Sequence, residues 1–407
     1  MAAAPLDGIV VVELARILAG PWVGQTLADL GATVIKVERP GTGDDTRQWG
    51  PPFIAAADGG DLGAAYYHAC NRGKRSIAVD FEKPEGADII RRLIAGADVV
   101  IENFKVGGLV KYGLDYRSLA ALNPRLVYCS ITGFGQDGPY AARAGYDFMI
   151  QGLGGYMDLT GQADGEPTKV GVAVADIFTG LYSVIGIQAA LAARDRTGLG
   201  QHVDMSLMDS MVAVLANQGM NYLVSGKAPR RMGNAHPNIV PYQVFPVADG
   251  HIIIATGNDR QWRECCRILD LAGLADDPRF LRNADRVKNR DALIPLMEAA
   301  TRRFPRAALL EQLETASVPA GPINTVADVF ADPQVLARRL RLDLACSDAA
   351  AGSVPSIRNP IRLSASDMPQ TRAAPRLGAD TAAVLAEHGL DPDEIDRLAT
   401  AGVVFRG

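Results

Sequence analysis

Runs of branched apolar residues recur through the first third of the chain, each followed by enough residues for a helix. Residues 9–13, 33–38 (TVIKVE), 76–80, 98–102 (DVVIE) and 126–131 (LVYCSI) read as strands, with helices approaching Leu30 and over 84–95. The runs are continuous rather than alternating, as in strands buried on both faces. With helices between them they predict a parallel sheet in an α/β, Rossmann-like large domain. Further on, a long apolar helix is expected over 177–194, a strand over 202–206 and a helix over 208–223. Residues 230–241 turn polar and irregular, as at a crossing between lobes. After them YQVFPV and HIIIAT, joined by Ala-Asp-Gly, predict a hairpin followed by helices, a smaller α+β domain. The expected divisions are 1–225 for the large domain, 226–326 for the small one, and 327–407 as a C-terminal segment of helix, strand and final helix.

Composition narrows the function classes. At 407 residues the chain is long for one core. A formal net charge of −5 and a pI near 5.6 leave no basic excess to track a nucleic-acid backbone. A local basic pocket for a small polyanion is compatible with that balance. Cys70, Cys129, Cys265, Cys266 and Cys346 lack metal-site spacing and read as reduced thiols of a cytoplasmic protein; the scattered histidines predict no metal. The N-terminal Met-Ala-Ala-Ala-Pro is unlike a secretory signal, and no segment is expected to reach membrane-spanning length.

A dinucleotide site needs G-x-G-x-x-G after the first strand, but Ala15–Pro21 (ARILAGP) offers one glycine and a proline. It offers instead Arg16, either a surface charge or a phosphate partner. Arg39, Lys74-Arg75 and Lys105 also flank strands of this lobe, where open α/β sheets gather ligands. Together they suit a polyanion with several phosphates, and singly each reads as an ordinary loop charge. Asp176 is a lone carboxylate in the apolar run VGVAVADIFTG, immediately before the long helix. It reads either as the helix N-cap or as an anion kept ionised by the helix N-terminus and able to work in acyl transfer.

Motifs spread over nearly the whole chain resemble the class III coenzyme A transferases. They are GATVIKVERPGTGDDTR (31–47), NRGKRSIAVD (71–80), ENF (102–104), ITGFGQDGPYAARAGYD (131–147), VGVAVADIFTGLY (170–182), TGLGQHVDMSL (197–207), VPAGPIN (318–324) and PRLGADT (375–381). The resemblance implies that Asp176 is the family's nucleophile and that the C-terminal segment returns to the large domain. It also implies an obligate, interlocked homodimer. Coenzyme A contacts carry over to Arg16, Ile17, Arg39, Lys74, Asn103 and Phe104, with Lys111 where relatives often have arginine and Tyr140 in a loop near the cofactor-like substrate. Acyl-CoA and a carboxylic acid are the implied substrates, with no permanently bound cofactor.

Departures from the family pattern narrow the activity. Leu18 stands where the formyl-CoA members have glutamine, and their mid-chain glycine-rich segment is missing. Tyr146 stands where the related α-methylacyl-CoA racemases have histidine, and a phenol is a poor base at neutral pH. Racemase and a non-catalytic acyl-CoA-binding protein are therefore the alternatives to transferase. GDDTRQWGPPF, RAGYD and RMGNAHPNIVPYQVF resemble transferases that move coenzyme A from succinyl-CoA to glutarate or hydroxymethylglutarate. Arg47, Arg143, Arg231 and His236 are candidates for the acceptor's distal carboxylate, each equally readable as a surface charge. The Gly152–Gly155 turn is a candidate source of oxyanion-holding N–H groups.

Overall fold

The structure, a computed structural model, describes residues 3–368, 370 and 372–407. The chain forms two compact units: one takes it up to Tyr156 and adds Lys169–Ser225 and Gln334–Gly407, the other comprises Met157–Thr168 and Gly226–Pro333.

The larger unit is built on a seven-stranded sheet. Its strands are β1 (Val10–Glu13), β2 (Thr33–Glu38), β3 (Arg75–Val79), β4 (Val99–Glu102), β5 (Val127–Thr132), β6 (His202–Ser206) and β7 (Val404–Phe405). They lie in the order β7-β3-β2-β1-β4-β5-β6, all parallel except β7, which runs antiparallel to β3. The first six reproduce the doubly wound 3-2-1-4-5-6 order. Successive strand residues face opposite sides, so a strand apolar at every position must be covered twice. Val12, Ile35, Val100 and Tyr128 enter one core, and Val11, Val34, Val99 and Cys129 enter the other. The C-terminal segment closes the β3 edge, where Ser76 N–H donates to Asp380 (2.9 Å) and Ala78 N–H to Thr381 Oγ1 (3.0 Å).

Three helices position the site: α1 (Ala19–Asp29), α2 (Asp147–Leu153) and α3 (Val174–Thr197). In α1 only glycine fits at position 24, because a Cβ there would lie 1.8 Å from Glu13 Oε2. Helix α3 begins three residues earlier than its apolar run suggests, and at 24 residues it corrects the expectation that nothing reaches membrane-spanning length. Its length and composition would suffice to cross a bilayer. Ala175, Thr179, Ser183, Val184 and Ile187 face the unit's core, while Phe178, Leu181 and Ile185 on the same helix are exposed.

In the smaller unit Tyr242–Val247, Gly250–Ala255 and Ala320–Pro322 form an antiparallel sheet. Phe245, Ile252 and Ile254 pack with Trp262, Leu293 and Met297, and fully buried Arg286 donates to the carbonyls of Val240 and Phe280. Met157–Thr168, expected in the large domain, belongs here instead. Gly233 N–H donates to Gly161 O (3.0 Å) and Arg231 pairs with Asp158 (3.0 Å), ties between distant segments that periodicity cannot signal. All five cysteines are free thiols.

Candidate active site

The first turn of the larger unit carries unusual backbone geometry. Between β1 and α1, Ile17 adopts φ +74, a region that costs a β-branched residue about 1–3 kcal/mol. Side chains hold it there. Asn103, just after β4, accepts from Arg16 N–H (2.9 Å) and donates to Arg16 O (2.7 Å). Ile17 N–H donates to both oxygens of Asp44 (3.3 and 3.4 Å), and Cys70 Sγ donates to Ile17 O (3.6 Å). The turn thus sits where β1 and β4 diverge, the position at which open α/β sheets bind ligands.

Beneath it lies a buried ionic cluster that corrects two expectations. Lys74 does not reach a ligand-facing rim: its ammonium is fully buried and donates to Glu13 (2.9 Å), Pro21 O (2.9 Å) and Asn71 (2.8 Å). Burial pushes its pKa down, against the pull of Glu13. Arg47 is not available to a distal carboxylate either. Its fork is bidentate on buried Glu38 (2.8 and 2.7 Å), bonds Tyr67 Oη (2.6 Å) and lies 3.7 Å over the Tyr67 ring. Both cations face inward because buried Glu13 and Glu38, at the ends of β1 and β2, need partners there.

Above the cluster a cleft is lined by Arg16, Arg39, Phe81 and Phe104, among others. Phe104, Phe81 and Tyr112 form an aromatic wall with ring centroids 5.8 and 5.5 Å apart. Arg16 lies 5.9 Å over Phe104 at one end, and exposed Lys111 lies 4.5 Å over Tyr112 at the other. Arg16 also pairs with Asp45 (2.8 Å), both half exposed, whereas Arg39 has no ion pair among the described residues. Such a wall with cations at its rim can take a planar base and phosphates. Phe104 N–H donates to buried Glu102 (2.8 Å), whose carboxyl burial pushes up to about 7. Tyr140 is not in the cleft wall; it is exposed, stacked edge-on to Phe134 (5.5 Å) and covered by Arg143 (4.5 Å).

Asp176 is not the N-cap of α3. It is the third helical residue; the cap position is Ala173, which has no side-chain hydrogen bond. Asp147, at the start of α2, takes over the capping by accepting from Ala175 N–H (2.8 Å). Fully buried Gln151 donates to Asp147 (2.7 Å) and accepts from Val170 N–H (2.8 Å), fastening the segment that leads into α3. The Asp176 carboxyl has no hydrogen bond or ion pair among the described residues. Burial first, and the Asp147 charge second, push it up to about 7, so the helix N-terminus does not dominate its ionisation. Tyr66 faces the same charges; burial and then Asp176 push its phenol up to about 12, leaving it a hydrogen-bond donor at neutral pH. A Cβ on Gly180, one turn beyond Asp176, would lie 3.1 Å from Ala19 O, so α3 crosses the start of α1 beside the strained turn.

The Gly152–Gly155 turn cannot supply the expected oxyanion donors, since Gly154 N–H bonds Ile150 O (2.7 Å) and Gly155 N–H bonds Gly152 O (3.3 Å). His236, in the smaller unit, is no carboxylate-binding cation. Its Nδ1 accepts from Asn238 N–H (3.0 Å), and burial and Arg290 lower its pKa. Arg231, in the same unit, is engaged by Asp158. Of the three candidate arginines only Arg143 has no carboxylate partner among the described residues; it faces the rings of Phe134 and Tyr140. Sequence reasoning missed Tyr66, Gln151 and the capping role of Asp147; the Gly145-Tyr146-Asp147 motif was the one available signal.

The larger unit is a doubly wound α/β fold in which the helix crossing beside the switch-point turn carries a half-buried carboxylate with no partner among the described residues. Residues 6–381 match CoA-transferase family III, and the chain belongs to that family. It is 57% identical over 396 residues to a succinate–glutarate CoA-transferase of Agrobacterium fabrum, covering 97% of this chain and 98% of that one. It is 42% identical to the human succinyl-CoA:glutarate CoA-transferase, over 98% of this chain and 90% of that one. A crystal structure of a CAIB/BAIF family protein from Brucella suis, 62% identical, superposes with a TM-score of 0.84 over 95% of this chain and all of that one.

Proposed function

We propose that this enzyme moves coenzyme A from succinyl-CoA to glutarate or a close diacid, with Asp176 as the covalent carrier. The observation that carries the reading is Asp176 itself: an unpartnered, half-buried carboxylate at the start of α3, one helical turn from the first-strand turn. The relatives named for glutarate support the choice of acids. In the first step an Asp176 oxygen bonds to the succinyl carbonyl carbon and the C–S bond breaks, giving a succinyl–aspartyl anhydride and the coenzyme A thiolate. The thiolate then bonds to the aspartyl carbonyl carbon and succinate leaves, forming an aspartyl thioester. Glutarate displaces the thiolate, and the thiolate attacks the glutaryl carbonyl of the new anhydride to release glutaryl-CoA and free Asp176. Anhydride and thioester both stay activated, which suits a carboxylate nucleophile.

In this reading the aromatic wall and the Arg16 and Arg39 guanidiniums take the nucleotide of coenzyme A, with Lys111 at the margin. The Tyr66 phenol donates to the developing oxyanion, and Arg143 is the remaining candidate for the distal carboxylate. The enzyme works as a homodimer in the cytoplasm. Phe148, Met149 and Leu153 on α2 and Phe178, Leu181 and Ile185 on α3 are exposed large apolar side chains, the kind a partner subunit covers. The test mixes purified protein with succinyl-CoA and glutarate, hydroxymethylglutarate, itaconate, citramalate, oxalate or carnitine, and reads the thioesters by mass spectrometry. Glutaryl-CoA that vanishes with Asp176→Ala is expected. Equal turnover by that variant overturns the nucleophile, and product from oxalate or carnitine alone overturns the dicarboxylate.

A further inference from the structure

We propose that Asp44, tethered by Lys36, is a positioning residue for acyl-CoA: it holds the Arg16–Ile17 turn in the shape that binds the ligand. The proposal rests on reading that turn as part of the coenzyme A site. Lys36 lies in the middle of β2, fully buried, and its ammonium meets three acceptors. They are Glu13 Oε1 (3.0 Å), Ala15 O (2.9 Å) and Asp44 Oδ2 (2.9 Å). A single buried cation therefore fixes both the carbonyl that opens the turn and the carboxylate that grips its middle.

Asp44 has little freedom of its own. Its Oδ1 accepts from Thr46 N–H (3.0 Å) and Thr46 Oγ1 (2.7 Å), and its own N–H donates to Glu38 (3.0 Å). At 1% exposure it acts through Ile17, not by presenting its carboxylate to a ligand. Isoleucine does not keep φ +74 unaided, and glycine alone occupies that region freely. The folds that bind dinucleotides at this position use glycines; here a non-glycine turn is forced into shape by an anion below it. Without that anion Ile17 N–H loses its partners and only Asn103 and Cys70 still hold the main chain of Arg16 and Ile17, so the Arg16–Ile17 peptide loosens and Arg16 is held less firmly over Phe104.

The test is steady-state kinetics of Asp44→Asn with succinyl-CoA and glutarate. The KM for succinyl-CoA is expected to rise about tenfold, as for one lost hydrogen bond to a charged group, while kcat and the KM for glutarate change by less than about threefold. Adding Ile17→Gly is expected to restore most of the lost affinity, because glycine takes the backbone conformation without help. A lower melting temperature with a wild-type KM for succinyl-CoA overturns the proposal, as does a double variant no better than Asp44→Asn. Should Asp44→Asn fail to fold, Thr46→Val loosens Asp44 by one hydrogen bond. A succinyl-CoA KM raised about threefold then supports the proposal, and an unchanged one overturns it. A wild-type enzyme that transfers normally while the variants match it condemns this inference alone; a wild-type enzyme with no transfer condemns the functional reading and this inference with it.

Discussion

The two ends of the site are built on opposite rules. At the Arg16–Ile17 turn every main-chain polar group is taken by a side chain, with buried ions packed beneath. At the start of α3 the Asp176 carboxyl has no partner among the described residues, and a second carboxylate stands nearby. The first end is over-determined, as a binding surface must be if affinity is not to be lost in ordering it. The second withholds solvation from a carboxylate, and under the proposed mechanism a carboxylate left short of partners is the better nucleophile. The buried charge of the first end is paired, and that of the second is not.

The largest effect expected from disturbing this contrast is at the reactive end. Asp176→Ala should reduce transfer at least about 10³-fold, measured by thioester exchange. The same variant should melt higher than wild type at pH 8. The folded carboxyl titrates near 7 and its ordinary value is 3.8, so between these values the folded state holds a proton that the unfolded state has released. Its stability contribution therefore falls as pH rises through that window, and removing the group relieves the loss. A variant that melts lower at pH 8 would contradict the idea of an under-satisfied carboxylate.

At the paired end the loss should be one of stability. Lys74→Met strands part of the charge on buried Glu13 and is expected to cost about 3 kcal/mol in urea unfolding. Transfer by the protein that remains folded should survive far better than in Asp176→Ala. Asp147→Asn is a subtler probe: it keeps an acceptor for Ala175 N–H but removes the negative neighbour. With Asp176 as the proposed nucleophile, which reacts only when ionised, kcat/KM should rise with pH through about 7 in the wild type. The midpoint should move down by about one unit in the variant. An unmoved midpoint would assign the titration to burial alone or to Glu102, whose carboxyl also lies near 7. The smallest effects belong to the rim cations. Arg39→Ala should weaken acyl-CoA binding about tenfold and flatten its salt dependence, and exposed Lys111→Ala about twofold, both by calorimetry.

Much of the architecture was legible from local pattern. Continuous Val and Ile runs specify the parallel strands, and VGVAVADIFTG isolates a single carboxylate within an apolar segment. The misreadings share one cause. Lys74 and Arg47 look like loop cations in the chain, yet they turn inward to Glu13, 61 residues away, and to Glu38 and the Pro375 carbonyl, 328 residues away from Arg47. The N-cap assignment of Asp176 failed because the apolar run does not mark the first helical residue, and because the cap comes from Asp147, 28 residues before Ala175.

The sequence by itself determined the main parallel strands, the family and the residue types at the site, because periodicity and composition act between chain neighbours. The helix expected over 208–223 divides into Leu207–Ala213 and Ala216–Ser225, and the C-terminal segment carries a strand pair, Arg341–Ala345 with Ser353–Ile357, where one strand was expected. Tertiary structure alone decided which charges face outward and which meet each other. Burying Glu13 and Glu38 at strand ends obliges nearby cations to pair with them, and only the 3-2-1-4-5-6 order of the sheet brings Lys36, Lys74, Asp44 and Asn103 to one turn.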